Sequence, residues 1–301
     1  MNAILELIQS AFNYYTNNLK KTHFAIFLLI LFVTSNNHPL NAQHKNDFEA
    51  RLFNIGFGGI VGGFGAVINK KPNEKTGKIF LKGFYQGALG GYLLFESKRL
   101  VGKFGKTGNY NYVWPSKLVN FAGVSIIENA AGNRNFWERW HINFGFNRLE
   151  FHTKDKFKLS YRIMPFSFGN TIYGFTQGKL DINTSLKIGS FVFATDKINN
   201  SKGFEGVTFA NTILYQSDNT ILNKIDIISH EIIHVYQYES FSGFNPFLDK
   251  PISKFIINDN WTEKYVKIFY TDFNYLVKGI LIIAQEYENS FFEKEARYYT
   301  E

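Results

Sequence analysis

The 301-residue chain contains no cysteine. That excludes disulfide staples, thiolate metal ligands, cysteine nucleophiles and lipid attachment through an N-terminal cysteine. Long basic runs are also missing. Net charge is +8, yet the longest lysine clusters are the pairs Lys20-Lys21 and Lys70-Lys71. Charge this scattered is no electrostatic footprint for nucleic acid, so no nucleic-acid partner is expected, while a basic face toward anionic lipid or glycan stays open. The apolar run Phe24–Val33 is ten residues, against the roughly 20 that a span needs. Aromatic residues, by contrast, are abundant, with 33 Phe and 17 Tyr, and supply ample core material.

The N-terminus reads as an export signal. Lys20-Lys21 precede the apolar run, and Leu40-Asn41-Ala42-Gln43 offers a small-residue cleavage point after Ala42. Residues 1–42 are therefore expected to be a signal peptide or an N-terminal anchor. The protein is expected to be exported, to the periplasm or outer envelope, with membrane association possible.

Residues 43–135 form a glycine-rich helical region. Gly58, Gly62 and Ala66 recur at four-residue spacing, as do Gly83, Gly87 and Gly91. Small residues every fourth position leave a flat helix face on which a second backbone can approach closely. The polar linker NKKPNEKTGK fits a hairpin connection. A membrane-associated hairpin and a tightly packed soluble one both satisfy this pattern, although Lys82, Gln86 and Glu96 argue against a clean span in the second helix. Residues 116–132 read as a further helix.

Residues 136–301 combine a sheet with a helical region. The segments 141–151, 157–164, 171–177, 179–195 and 207–216 alternate apolar and polar positions, which predicts an antiparallel β-meander of about five strands. His141 and His152 are placed on strand surfaces or ends, with no role. The fold class is therefore α+β: a glycine-rich helical hairpin, a β-meander, then a helical region carrying the most informative motif of the chain.

That motif is His230-Glu231-Ile232-Ile233-His234, an HExxH. On a helix, positions i and i+4 share one face, so two imidazoles can aim at one Zn²⁺, with Glu231 beside them to activate a water. Residues 226–239 lack Gly and Pro, and Ile225, Ile228, Ile232, Val235 and Tyr236 make a helical apolar stripe. Asn223 or Asp226 is a candidate cap. The bland alternative is a buried amphipathic helix whose histidines are merely hydrogen-bonded. A catalytic zinc needs a third protein ligand. The other five histidines (23, 38, 44, 141 and 152) all lie upstream, which favours a downstream carboxylate, and Glu293 and Glu295 are both candidates.

With these residues the chain resembles the Glu-liganded HExxH zinc metallopeptidases, the gluzincins, in particular CAAX-prenyl-protease-like and minimal bacterial HExxHxxQ forms. Glu293-Lys-Glu-Ala296 matches the E-x-x-A of their second helix, and Thr208, Asn211 and Gln237 match the strand and the extended motif of the minimal forms. The resemblance covers about 204–240 and 289–298. It implies Glu293 as third ligand and Glu295 as its solvent-facing neighbour. Arg297 stands where those families often carry Asp. Arg297 and Tyr298 are candidates for stabilising an oxyanion. The expected function is that of a zinc-dependent metallopeptidase of the bacterial cell envelope acting on a peptide or protein substrate. The alternative is a non-catalytic, membrane-associated envelope protein with a structural metal site or none. A helical region over 258–288, capped at Asp259 or Asn260, is expected to pack under the motif helix and deliver Glu293.

Overall fold

The computed structural model describes residues 46–196, 198, 205–217, 221–247, 267–283 and 290–300. The leader, the cleavage candidate and the caps Asp259 and Asn260 lie outside these residues. The described protein is mixed helix and sheet, an α+β arrangement.

Two long helices, α1 (Asp47–Ile68) and α2 (Thr76–Thr107), form the glycine-rich hairpin. Asn46 caps α1 by accepting from the backbone N–H groups of Phe48 and Glu49 at 3.0 and 3.1 Å. The glycines lie where the backbones meet. A Cβ on Gly58 would fall 2.3 Å from the Gly87 carbonyl oxygen, and one on Gly62 would fall 2.4 Å from that of Gly83. No side chain fits at either level, so glycine is required by contact. The helix α3 (Val113–Ala131) packs across both. By length and mean hydropathy (1.4) α1 could cross a membrane, but 44% of that window is buried inside the protein.

The expected five-strand meander is replaced by two sheets. The first is antiparallel, in the order β1 (Arg139–Phe144), β2 (Asn147–His152) and β3 (Lys158–Ile163). It is pinned to α3 by buried charge. Arg148 reaches Glu128 at 2.7 Å and Glu150 at 2.8 Å, and the Tyr270 hydroxyl donates to Glu128 at 2.9 Å. Burial would raise the Glu128 carboxyl, but Arg148, then His141 and Arg139, outweigh it and hold it at about 2. His141 is buried beneath the sheet beside Ser125, contrary to the expected surface position, and burial lowers its pKa to about 3.

Residues 171–177, expected as a strand, belong to the helix α4 (Pro165–Gln177). Pro165 at the first turn presets the helical φ, and the Asp272 carboxylate accepts from the N–H groups of Phe166 and Ser167. The segment 179–195 is likewise not one strand. It divides into β4 (Lys179–Leu180), the helix α5 (Ile182–Ile188) and β5 (Phe191–Thr195), because Asp181 caps α5 and Gly189 ends it at φ +69°. The segment 207–216 folds back on itself as β6 (Gly206–Phe209) and β7 (Thr212–Gln216), the chain reversing at Ala210, whose φ is +56°. The second sheet runs β4-β5-β7-β6, with β5 and β7 parallel, and β6 is one of its two edges.

The helix α6 (Ile221–Ser240) carries the motif, and α7 (Asn274–Ile283) and α8 (Phe291–Thr300) follow. Asn223 and Asp226 lie inside α6 rather than capping it. The inner face of α6, Ile228, Ile232, Val235 and Tyr236, is buried against Val192 and Ile213 of the second sheet, Phe95 and Phe104 of α2, and Ala296 and Tyr299 of α8. The motif helix is therefore clamped between a sheet and two helices.

Candidate metal centre

Helical spacing brings the two motif imidazoles together. The Nε2 atoms of His230 and His234 are 3.1 Å apart. Glu293, in the first turn of α8, spans both: Oε2 lies 3.2 Å from Nε2 of His230 and Oε1 lies 3.2 Å from Nε2 of His234. Ser290 Oγ accepts from the Glu293 N–H at 3.3 Å, and Ala296 is fully buried against the core, so α8 is seated at both ends of this turn. The three residues form a group that can hold a metal ion, with one ligand atom from each lying within 4.8 Å of the others. Glu293 is buried, which alone would raise its pKa. The hydrogen bond from His230 and the closeness of both imidazoles hold it instead well below the usual carboxylate range. Burial works against a charged His230, but Glu293 and Glu231 outweigh it and raise its pKa.

The tautomer of His234 follows from its neighbour. Gln237 Nε2 donates to the Phe292 carbonyl at 2.9 Å and to Glu295 at 3.0 Å, while Lys278 donates to Gln237 Oε1 at 3.2 Å. The amide is thus fixed with Oε1 toward His234, where it accepts from Nδ1–H at 2.9 Å. A neutral His234 therefore presents a lone pair at Nε2, toward His230 and the Glu293 carboxylate. Two ring nitrogens and a carboxylate converging on one point are a donor set that a metal cation could complete. Gln237 thus fixes the orientation of the His234 ring through its Nδ1.

Glu295 is not the solvent-facing neighbour expected of it. It is 1% exposed and bonded to Lys98 of α2 at 2.7 Å, with Asn54 beside the pair. Two residues after Glu293 on a helix, it must point into the protein because Glu293 faces the cleft. Tyr298 is also turned away: its hydroxyl donates to Asp47 of α1 at 2.6 Å. Arg297 is exposed and lines the cleft.

The cleft, of about 420 Å³, is lined by His230, Glu231 and Glu293, by Asp226 and Arg297, and by Gly206 on the edge strand β6. Thr208 of that strand donates to Glu231 Oε2 at 2.6 Å. A Cβ at Gly206 would fall 2.8 Å from Glu231 Oε1, so glycine leaves room for the carboxylate. Asn211 binds elsewhere, donating to the Gly145 carbonyl and the Tyr275 hydroxyl.

Lys278 is the least expected member of the site. It is buried on α7, donates to the His234 carbonyl at 3.2 Å and lies 3.7 Å from the centre of the Tyr238 ring. Burial lowers its pKa to about 7, against the pull of Glu293, Glu295 and Glu231. A lone Lys inside the apolar stretch 276–284, and Lys98 within LLFESKRLV, were the available signals for these two buried cations. No protein-family model, curated protein or solved structure matches the chain, so its functional reading rests on this geometry.

Proposed function

We propose that the protein is a zinc metallopeptidase of the bacterial envelope, hydrolysing a peptide or protein substrate. The observation that carries the reading is the convergence of His230, His234 and Glu293 beside Glu231 in an open cleft. His230, His234 and Glu293 would hold Zn²⁺, which supplies Lewis-acid polarisation of a peptide carbonyl and of water. Glu231 is the base. Its Oε2 is held by the Thr208 hydroxyl, which leaves Oε1 to take a proton from water as the water oxygen bonds to the carbonyl carbon. The same carboxyl then gives that proton to the departing amine nitrogen as the C–N bond breaks. Arg297, on the cleft wall, is the cation we assign to a developing oxyanion or a substrate carboxylate. The basic and apolar leader of the sequence supports export.

A purely structural zinc usually has four protein ligands. Three ligands grouped among the described residues, next to a cleft, favour the catalytic reading over the non-catalytic one. Glu231→Gln is the test. It should keep zinc and lose at least about 100-fold in peptide hydrolysis. Retained hydrolysis would remove Glu231 from the role of base.

A further inference from the structure

The helix α4 is built inside out. Its buried positions are Ser167, Thr171 and Gly174, small or hydroxyl-bearing, whereas Phe168, Ile172 and Phe175 at i, i+4 and i+7 are 43%, 50% and 59% exposed. Phe166 and Tyr173 are exposed on its other flank, and its 13 residues include no charge. Soluble surface helices show the reverse pattern. The strand before it adds to the surface. Phe157, just before β3, and Leu159 and Tyr161, on one face of it, are 71%, 53% and 51% exposed. The two parts adjoin at the β1–β2 turn: the Phe168 ring is 4.9 Å from that of Phe146, and the Tyr161 hydroxyl donates to the neighbouring Asn147.

Charge around this surface is mostly basic. Within residues 153–187, Lys154 is paired with Glu138 and Arg162 with Glu150, each at 3.4 Å, and Asp181 with Lys224 at 2.7 Å, which leaves Lys156, Lys158, Lys179 and Lys187 against Asp155. Lysines alternate with the exposed apolar residues along 156–159, and Lys179 follows the end of α4.

We infer that the β3–α4 face binds the surface of an anionic lipid bilayer, with α4 lying in the plane of the headgroups. An uncharged helix about 20 Å long, exposing an aromatic and aliphatic stripe with lysines at its border, combines apolar burial at the acyl boundary with attraction to anionic headgroups. A second copy of the chain would bring the same lysines against themselves, whereas anionic lipid complements them. The face also adjoins the cleft. Tyr173 packs on Phe209 of β6 at 5.5 Å, the strand whose Gly206 and Thr208 border Glu231. This inference stands on exposure and charge and holds whether or not the site hydrolyses peptides.

Vesicle sedimentation of the full chain tests it, with phosphatidylcholine alone compared with an equal mixture with phosphatidylglycerol. The wild type should pellet with the anionic vesicles, less at high salt. The Phe168→Ser/Ile172→Ser/Phe175→Ser variant should partition at least about tenfold more weakly while keeping its melting temperature. Because the chain has no cysteine, Ile172→Cys and Tyr85→Cys can each carry one environment-sensitive fluorophore. The probe at 172 should shift to the blue on anionic vesicles, and the probe at 85, on the glycine hairpin, should not. Undiminished binding by the triple variant would overturn the inference, as would a shift at 85 without one at 172. Lipid-independent dimers that the triple variant abolishes would also overturn it and assign the face to self-association.

Discussion

Gln237 Oε1 accepts a hydrogen bond from His234 Nδ1 at 2.9 Å, and the amide's other end is locked by the Phe292 carbonyl and Glu295. One glutamine therefore sets which nitrogen of His234 is offered to a metal. Gln237→Ala should weaken zinc binding by about 10- to 100-fold without unfolding the protein. A competition titration with a chromophoric chelator reads this, and unchanged affinity would deny Gln237 an orienting role.

Glu293 and Glu295, two residues apart, should fail in different ways. Glu293→Ala should lose zinc. Glu295→Ala leaves Lys98 buried without its carboxylate and should cost about 3–5 kcal/mol of stability, read by chemical denaturation. Equal stability losses in the two variants would contradict this division of labour.

The glycine hairpin gives an internally controlled stability prediction. A Cβ at Gly87 would fall 2.1 Å from the Gly58 carbonyl oxygen, so Gly87→Ala must push α1 and α2 apart and should destabilise by about 2–4 kcal/mol. At Gly56, also in α1, nothing lies within 4 Å, and Gly56→Ala should stabilise by up to about 1 kcal/mol. Matching shifts in melting temperature would refute the contact argument.

Acid sensitivity should trace partly to His141. Burial depresses its pKa to about 3 in the folded protein from an ordinary 6.5. Between these values the unfolded chain binds the extra proton, so this contribution to stability is present above pH 6.5 and is lost as pH falls toward 3. The slope from this group is at most about 1.4 kcal/mol per pH unit. His141→Gln should flatten the stability profile over that window, and an unaltered slope would count against it.

The motif was legible because HExxH spacing encodes a helix face directly, whereas ten carboxylates follow it and Glu293 stood out only by the resemblance of Glu293-Lys-Glu-Ala296 to an E-x-x-A helix. The hairpin was legible because glycines at four-residue spacing need backbone contact. The sheets were not. Aromatic alternation in 171–177 resembles a strand, but Pro165 and the distant cap Asp272 make it helical. Strand order likewise depends on Asp181, Gly189 and Ala210, whose local turns override alternation. The second row of the site was hidden for a related reason. Lys98, Lys278 and Gln237 meet only when α2, α6, α7 and α8 pack, and no local pattern encodes that meeting.

Zinc content and affinity of the wild type beside Glu293→Gln test the central claim most directly. One zinc per wild-type chain and at least about 100-fold weaker binding by the variant are the expected result. A wild type without stoichiometric zinc, or a variant that binds it as tightly, would contradict the three-ligand site.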